Sequence, residues 1–257
     1  MAQGPTYPDR PESSITDRKV AALKIRLMRE ATLAIAMLEQ ALAALWSLDV
    51  DAARAVRQSD DRVDLEEVAI EQACYEIMAL RAPYARTFRI LAFVLRVNAD
   101  FERVADHACS IAKAVVKIAE HAERSEAPTW PTALLDLGER VPAMCHQVMR
   151  AVMDENADAA RALVATDENI DRLDRRLFDE AREMMRGRNG IPASDEELAM
   201  GMLIYRIGRE LERVGDLMAA IAEDVVFLAT GSIIRHSKRR GLAPGQPGGQ
   251  PPAIPPG

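Results

Sequence analysis

An internal duplication governs how this chain can fold. The segment FERVAD at 101–106 returns in the second half of the chain as LERVGD at 211–216. Both copies keep an acid, then three other residues, then a second acid. Recurrence of this kind is the signature of a repeated supersecondary unit, so we expect each half of the chain to form the same unit.

The composition favours long amphipathic helices. Of the 257 residues, 49% are hydrophobic, 28% are charged and only 4% are aromatic, a balance typical of helical proteins. Apolar residues recur in alternating steps of four and three from Ile90 to Ile118 and again from Ile204 to Leu228, which is the period of a helix with a coiled-coil-like seam. We therefore predict an all-α fold of two tandem antiparallel three-helix bundles related by the duplication.

Proline and glycine divide the chain into four parts. The ranges 1–16 and 232–257 are rich in Pro, Gly and polar residues and are predicted to be flexible tails. Pro128 and Pro131 separate a first bundle at 17–124 from a second bundle at 125–231. The six helices are predicted at about 17–46, 51–80, 83–121, 132–154, 157–188 and 195–230, with Asn189-Gly190 ending the fifth and Ser194 capping the sixth.

Charge, cysteine content and hydropathy exclude several classes of protein. A net charge of -7 and a pI near 5.3 argue against sequence-independent binding of nucleic acid, which needs a surplus of Lys and Arg. Cys74, Cys109 and Cys145 show no CxxC spacing, which fits a reducing cytoplasm. The N-terminus lacks the pattern of a secretory signal. No stretch approaches about eighteen apolar residues, so no transmembrane segment is expected.

Four pairs of acids recur at a spacing of four residues. They are Asp60 with Asp64, Glu102 with Asp106, Asp167 with Asp171, and Glu212 with Asp216. At about 100° per residue, the pairs of the third and sixth helices lie roughly 130° to 170° from the apolar seam and should face solvent. Those of the second and fifth helices lie about 60° to 100° from their seams, on a flank that can turn toward a neighbouring helix. Two pairs can thus converge in each bundle, where four carboxylates would suit a hard cation.

The repeated segments resemble the paired LERIGDHA signatures of the PhoU family of phosphate-signalling regulators. The resemblance extends to PYARTFR at 83–89, which is similar to the PVARDLR segment of that family, to the Asp-x-x-Val/Ile-Asp segments, and to FLATG at 227–231. It covers about residues 17–231.

Membership of this family implies two three-helix bundles, each with a metal cluster held on its surface by E(D)xxxD pairs. The implied ligands are Asp60, Asp64, Glu102 and Asp106 in the first bundle and Asp167, Asp171, Glu212 and Asp216 in the second. Such clusters are associated in the family with iron, zinc, manganese or magnesium, among which carboxylates alone do not select. His107 is left out of the set, because Leu217 stands at the equivalent place in the second half.

The resemblance also implies a function and partners. A PhoU-like protein is cytoplasmic, catalyses no reaction, and keeps the phosphate-starvation response off in phosphate plenty. It does so by linking the ATPase of the phosphate ABC transporter to a sensor histidine kinase. Homodimer formation is left open by the sequence.

Other interpretations of the acids are weighed beside this one. The acids can be solvated helix surfaces paired with Arg103 and Arg213, or belong to a metal-binding helical adaptor outside phosphate signalling, or bind basic partner surfaces without metal. A ferritin-like di-metal oxidase is disfavoured, because its ligands point into the bundle core and include Glu-x-x-His on two helices. The repeated segments contain no such motif.

Overall fold

The computed structural model describes residues 11–81, 85–122, 128–186 and 193–234. Most of both predicted tails, at 1–10 and 235–257, lies outside the described residues, and so does the Asn189-Gly190 helix stop. The helices in the described residues are α1 (Pro11–Ser47), α2 (Val50–Gln58), α3 (Asp60–Arg81), α4 (Ala85–Ala122), α5 (Thr132–Met153), α6 (Ala157–Met184) and α7 (Asp195–Thr230). The all-α prediction is confirmed, and none of these helices is long and apolar enough to cross a membrane.

The predicted second helix is divided in two at Ser59. The Ser59 N–H donates to Val56 O at 3.0 Å, and its hydroxyl donates to Ala55 O at 3.2 Å. A serine side chain that bonds to the preceding turn competes with the helical ladder. The chain therefore ends α2 and starts α3 at once, so that α2 and α3 together take the place of one helix of the six-helix plan.

The first helix begins at Pro11, earlier than the predicted start at residue 17. Proline is tolerated in the first turn of a helix, because the backbone N–H that it lacks has no helical partner there. Residues 12–16, which the sequence analysis assigned to a tail, therefore form part of α1.

The two apolar seams predicted from the sequence form the cores. Every seam residue of α4 from Ile90 to Ile118 and of α7 from Ile204 to Leu228 is buried. In the first bundle, α1, α2 and α3 pack around α4, and in the second, α5 and α6 pack around α7. The helices α4 and α7 also pack against each other, so the duplicated acid pairs lie on the two central helices of the molecule.

Two polar contacts join the bundles along this central pair. His107 Nδ1 lies 2.7 Å from Glu210 Oε2, and Arg96 Nη1 donates to Asp224 Oδ1 at 3.0 Å. Arg96, early in α4, contacts Asp224, late in α7, whereas His107, later in α4, contacts Glu210, earlier in α7. The two helices therefore run antiparallel. His107 of α4 therefore connects the first bundle to the second through Glu210 of α7.

A capping box starts α7, as the sequence predicted. Glu197 N–H donates to Ser194 Oγ at 3.2 Å, and Ser194 N–H donates to Glu197 Oε2 at 2.8 Å. Two of the backbone donors that a helix start leaves unpaired are satisfied in this way.

Removing this cap should weaken the second bundle. We expect Ser194→Ala to lower the free energy of unfolding by about 1 kcal/mol, as measured by urea denaturation. Ser47→Ala is the control, since the Ser47 hydroxyl bonds back to Ala43 O and caps no helix start. Equal losses in the two variants would contradict the capping role.

Candidate metal centres

Three of the four acids predicted for the second bundle come together. Ligand oxygens of Asp167, Asp171 and Asp216 all lie within 4.8 Å of one another. No other group of three or more His, Cys, Asp or Glu side chains among the described residues meets this spacing. The first two acids come from α6 and the third from α7, so the acid pair of α6 lies beside one acid of the α7 pair.

The fourth acid of this set, Glu212, forms an ion pair with an arginine. Arg209 Nη1 lies 3.0 Å from Glu212 Oε1, while Glu212 Oε2 is buried with no hydrogen bond. The side chain is only 14% exposed, which differs from the solvent-facing position expected, because α7 is covered by α4, α5 and α6. Burial and the charge of Asp216 raise the pKa of Glu212 in spite of Arg209.

The acids of the first bundle are close enough to interact but are less tightly gathered. In the described part of the chain, Asp60, Asp64, Glu102 and Asp106 do not form a group within 4.8 Å. Burial, followed by the charges of Asp106, Glu67, Asp64 and Asp60, raises the pKa of Glu102 to about 7. Burial and the charges of Asp60 and Asp106 also raise the pKa of Asp64. The four acids therefore share one region of negative potential between α3 and α4.

A buried glutamate beneath this region was missed by the sequence analysis. Glu30 of α1 is 1% exposed, and neither of its carboxylate oxygens has a hydrogen bond. Burial and the charges of Glu67, Glu66 and Glu102 raise its pKa to about 9. A signal was present, since Glu30 stands three residues after Leu27 and four before Ala34, which are both in the core.

The arginines considered as alternative partners contact other acids. Arg103 lies 3.8 Å from Asp100 and Arg213 lies 3.8 Å from Glu210. The arginine that reaches the second acid set is Arg209, which the sequence analysis did not single out. Burial raises the pKa of Glu210, but the hydrogen bond with His107 and the charges of Arg213 and Arg206 outweigh it and lower that pKa.

The donor chemistry of both sets suits a hard cation. Carboxylate oxygens are the ligands of magnesium, calcium and manganese, and iron and zinc also accept them. Grouped carboxylates repel one another, and a buried polar atom without a partner is costly. Both conditions occur here, in the convergence of Asp167, Asp171 and Asp216 and in the buried Glu212 Oε2, which has no hydrogen bond. A cation bound at this place would offset both costs.

Comparison with known proteins gives a consistent result over both halves. The sequence model of the PhoU domain family matches this chain twice, at residues 27–115 and 134–225. The phosphate-specific transport system accessory protein PhoU homolog 1 of Thermotoga maritima is 27% identical over 223 residues, which are 87% of this chain and 92% of that protein. The PhoU homolog of Deinococcus radiodurans is 31% identical over 180 residues, covering 69% of this chain and 78% of that protein.

Solved structures of similar proteins share the fold. The phosphate transport system regulatory protein PhoU from Streptococcus pneumoniae superposes with a TM-score of 0.75 at 26% identity, over 85% of this chain and 98% of that one. PhoU from Pseudomonas aeruginosa gives a TM-score of 0.77 at 25% identity, over 84% of this chain and 99% of that one.

Proposed function

This chain belongs to the PhoU family, and on that premise we propose that it keeps the phosphate-starvation response off when phosphate is plentiful. It is a PhoU-like accessory protein of phosphate transport, with a regulatory and not an enzymatic role. It acts by linking the ATPase of a phosphate ABC transporter to a sensor histidine kinase.

The observation that carries this proposal is the duplication itself. The family match occurs twice, once in each half, and each half places two acid pairs on neighbouring helices at equivalent positions. An adaptor between two partners needs two surfaces, and we assign these to a first bundle at 17–124 and a second at 125–231.

Each bundle carries a metal site in this proposal. The first is formed by Asp60, Asp64, Glu102 and Asp106, and the second by Asp167, Asp171, Glu212 and Asp216. Iron, zinc, manganese and magnesium are the candidate ions, since a set of carboxylates accepts all of them. A bound cation offsets the repulsion among the acids and thereby fixes the faces of α3, α4, α6 and α7 for recognition.

The partner-binding surfaces lie in the cytoplasm beside the transporter. The three cysteines are free and buried, which suits that compartment. The helix α3 exposes Leu65, Val68 and Tyr75 along one side, and grouped exposed apolar residues mark interaction sites. We assign this side of α3 to binding of the transporter ATPase or the kinase.

Removing one acid pair should reduce the metal content. We expect Glu102→Ala combined with Asp106→Ala to lower the metal bound per chain, because two of four ligands of the first bundle are lost, while helical content stays intact. Metal is measured by plasma mass spectrometry and helicity by circular dichroism. Glu120→Ala, an exposed acid near the end of the same helix, is the control and should keep its metal. Unchanged metal in the double variant would contradict the assigned site.

Direct binding tests the linking role. The purified chain, with its metal, is titrated against the transporter ATPase and separately against the cytoplasmic part of the kinase, and binding is measured by calorimetry. We expect both to bind, and we expect Leu65→Glu with Tyr75→Glu to weaken at least one of them. If the chain fails to bind the ATPase, or fails to bind the kinase, the proposed linking role is wrong.

A further inference from the structure

An apolar groove lies where the two bundles meet. It encloses about 570 Å³ and is lined by residues of four helices, α1 and α4 from the first bundle and α5 and α7 from the second. Its apolar lining includes Ile25, Leu27, Met28, Phe93, Met153 and Leu228. Sites for small molecules have volumes of about 300–1,000 Å³ and a mostly apolar lining, so the groove has the size and the chemistry of such a site.

The groove has a buried floor and exposed walls. Leu27 and Phe93 of the floor are 1% and 2% exposed, because they also belong to the core. On the walls, Ile25 is 55% exposed and Met153 is 69% exposed. Large apolar side chains left in water beside an apolar floor gain free energy when a ligand covers them, and methionine adapts its shape to a flexible apolar chain.

Two cations line the same groove, and they differ in their partners. Lys24 Nζ donates to Glu155 Oε1 at 2.5 Å, so its charge is already balanced. The Arg29 side chain forms no ion pair in the part of the chain that the structure describes. The pKa of Glu66 is lowered chiefly by its hydrogen bond with Arg26 and to a smaller extent by the charge of Arg29, and both of its oxygens are bonded to Arg26. Arg29 can therefore pair with an added anion.

The remaining polar side chain of the lining is already bonded. The Thr32 hydroxyl donates to Met28 O at 2.7 Å. A ligand in the groove therefore finds one cation and an otherwise apolar surface. A sugar or a nucleotide would leave several of its polar groups unpaired there, which is costly, whereas an apolar chain with a single anionic head matches both features.

We propose that the groove binds a free long-chain fatty acid, with its acyl chain along Ile25, Phe93 and Met153 and its carboxylate paired with Arg29. Charge complementarity selects the head group, because Arg29 is the lining cation that is not ion-paired with an acid. The apolar lining selects the body of the ligand. The bound chain contacts helices of both bundles and depends on this groove, not on a role in phosphate signalling.

Binding is measured with cis-parinarate, a fatty acid that fluoresces in apolar surroundings. It is titrated into the purified full-length chain and then displaced by palmitate. We expect one site per chain and stronger displacement by palmitate than by decanoate, because each buried methylene adds to the affinity. Thr32→Trp fills the groove from α1 and should weaken binding at least about tenfold. Residue 32 is exposed, so the variant should fold, which circular dichroism checks.

Arg29→Gln tests the head group. It should weaken palmitate about threefold to fivefold, as expected for an exposed ion pair, and leave the binding of uncharged hexadecanol unchanged. Arg18→Gln is the matched control and should bind palmitate like the unmodified chain, because Arg18 is an exposed arginine of α1 that does not line the groove. Absence of parinarate binding, or palmitate binding that either Thr32→Trp or Arg29→Gln leaves unchanged, would overturn the proposal.

Other occupants of the groove would give different results. If a second copy of the chain covers it, Thr32→Trp lowers the mass found by sedimentation equilibrium in the absence of fatty acid. If a lipid bilayer covers it, Thr32→Trp loses binding to phosphatidylglycerol vesicles and leaves parinarate binding unchanged. Either result would overturn the proposal. Since no transporter or kinase component is present, these outcomes would leave the proposed function untouched.

Discussion

Glu30→Leu is expected to stabilise the metal-free protein at neutral pH, by about 3 kcal/mol. Burial and neighbouring acids raise the pKa of Glu30 from its ordinary 4.5 to about 9. In the unfolded chain the carboxyl is ionised at pH 7, so folding must take up a proton, at about 1.4 kcal/mol for each pH unit above 4.5. Leucine removes this cost and suits a position that is only 1% exposed.

The sign of the pH dependence makes the prediction specific. A raised pKa in the folded state means that the contribution of Glu30 to stability is greatest below pH 4.5 and is lost as the pH rises toward 9. The advantage of Glu30→Leu over the unmodified chain should therefore grow from pH 5 to pH 8.5. Urea denaturation in the presence of a chelator measures it, with the exposed acid variant Glu120→Leu as the control. An advantage that is absent, or that shrinks with rising pH, would contradict this view of Glu30.

Phe101→Ala should cause a loss of stability of about 3–5 kcal/mol. The Phe101 side chain is fully buried at the centre of the seam of α4, so the truncation leaves a cavity between the helices of the first bundle. Leu211→Ala at the equivalent position of α7 should cost about 2–5 kcal/mol. Phe88→Ala is the matched control, because that side chain is 54% exposed and its loss should change stability by at most about 0.5 kcal/mol. Thermal and urea unfolding measure all three, and a Phe101→Ala chain as stable as the Phe88→Ala chain would contradict the assigned core.

The helices could be predicted from the sequence, because local signals and burial agree in them. The starts of α5, α6 and α7 and the end of α7 fall where the apolar period and the caps placed them, and Ser194 caps α7 as its spacing from Glu197 indicated. The break at Ser59 could not be predicted with the same rules, since a single serine is compatible with a continuous helix. The equivalent range in the second half runs through without interruption.

The candidate site could be predicted only in part from the sequence. The spacing of four placed the acid pairs on neighbouring helices, and Asp167, Asp171 and Asp216 converge accordingly. Exposure was harder to predict, because a central helix has several neighbours and a residue far from the main seam, such as Glu212, is still covered. The roles of Arg209 and Glu30 depend on contacts with other helices, which a pattern along one helix does not contain.

The regulatory role is tested most directly in cells, with a phosphate-starvation reporter in a strain that lacks this chain. The strain is grown in excess phosphate beside the parent strain and a strain complemented with the unmodified chain. We expect high reporter output in the deletion strain and low output in the other two, because in the proposed function the chain keeps starvation signalling off. Low output in the deletion strain, equal to that of the parent, would contradict the proposed function.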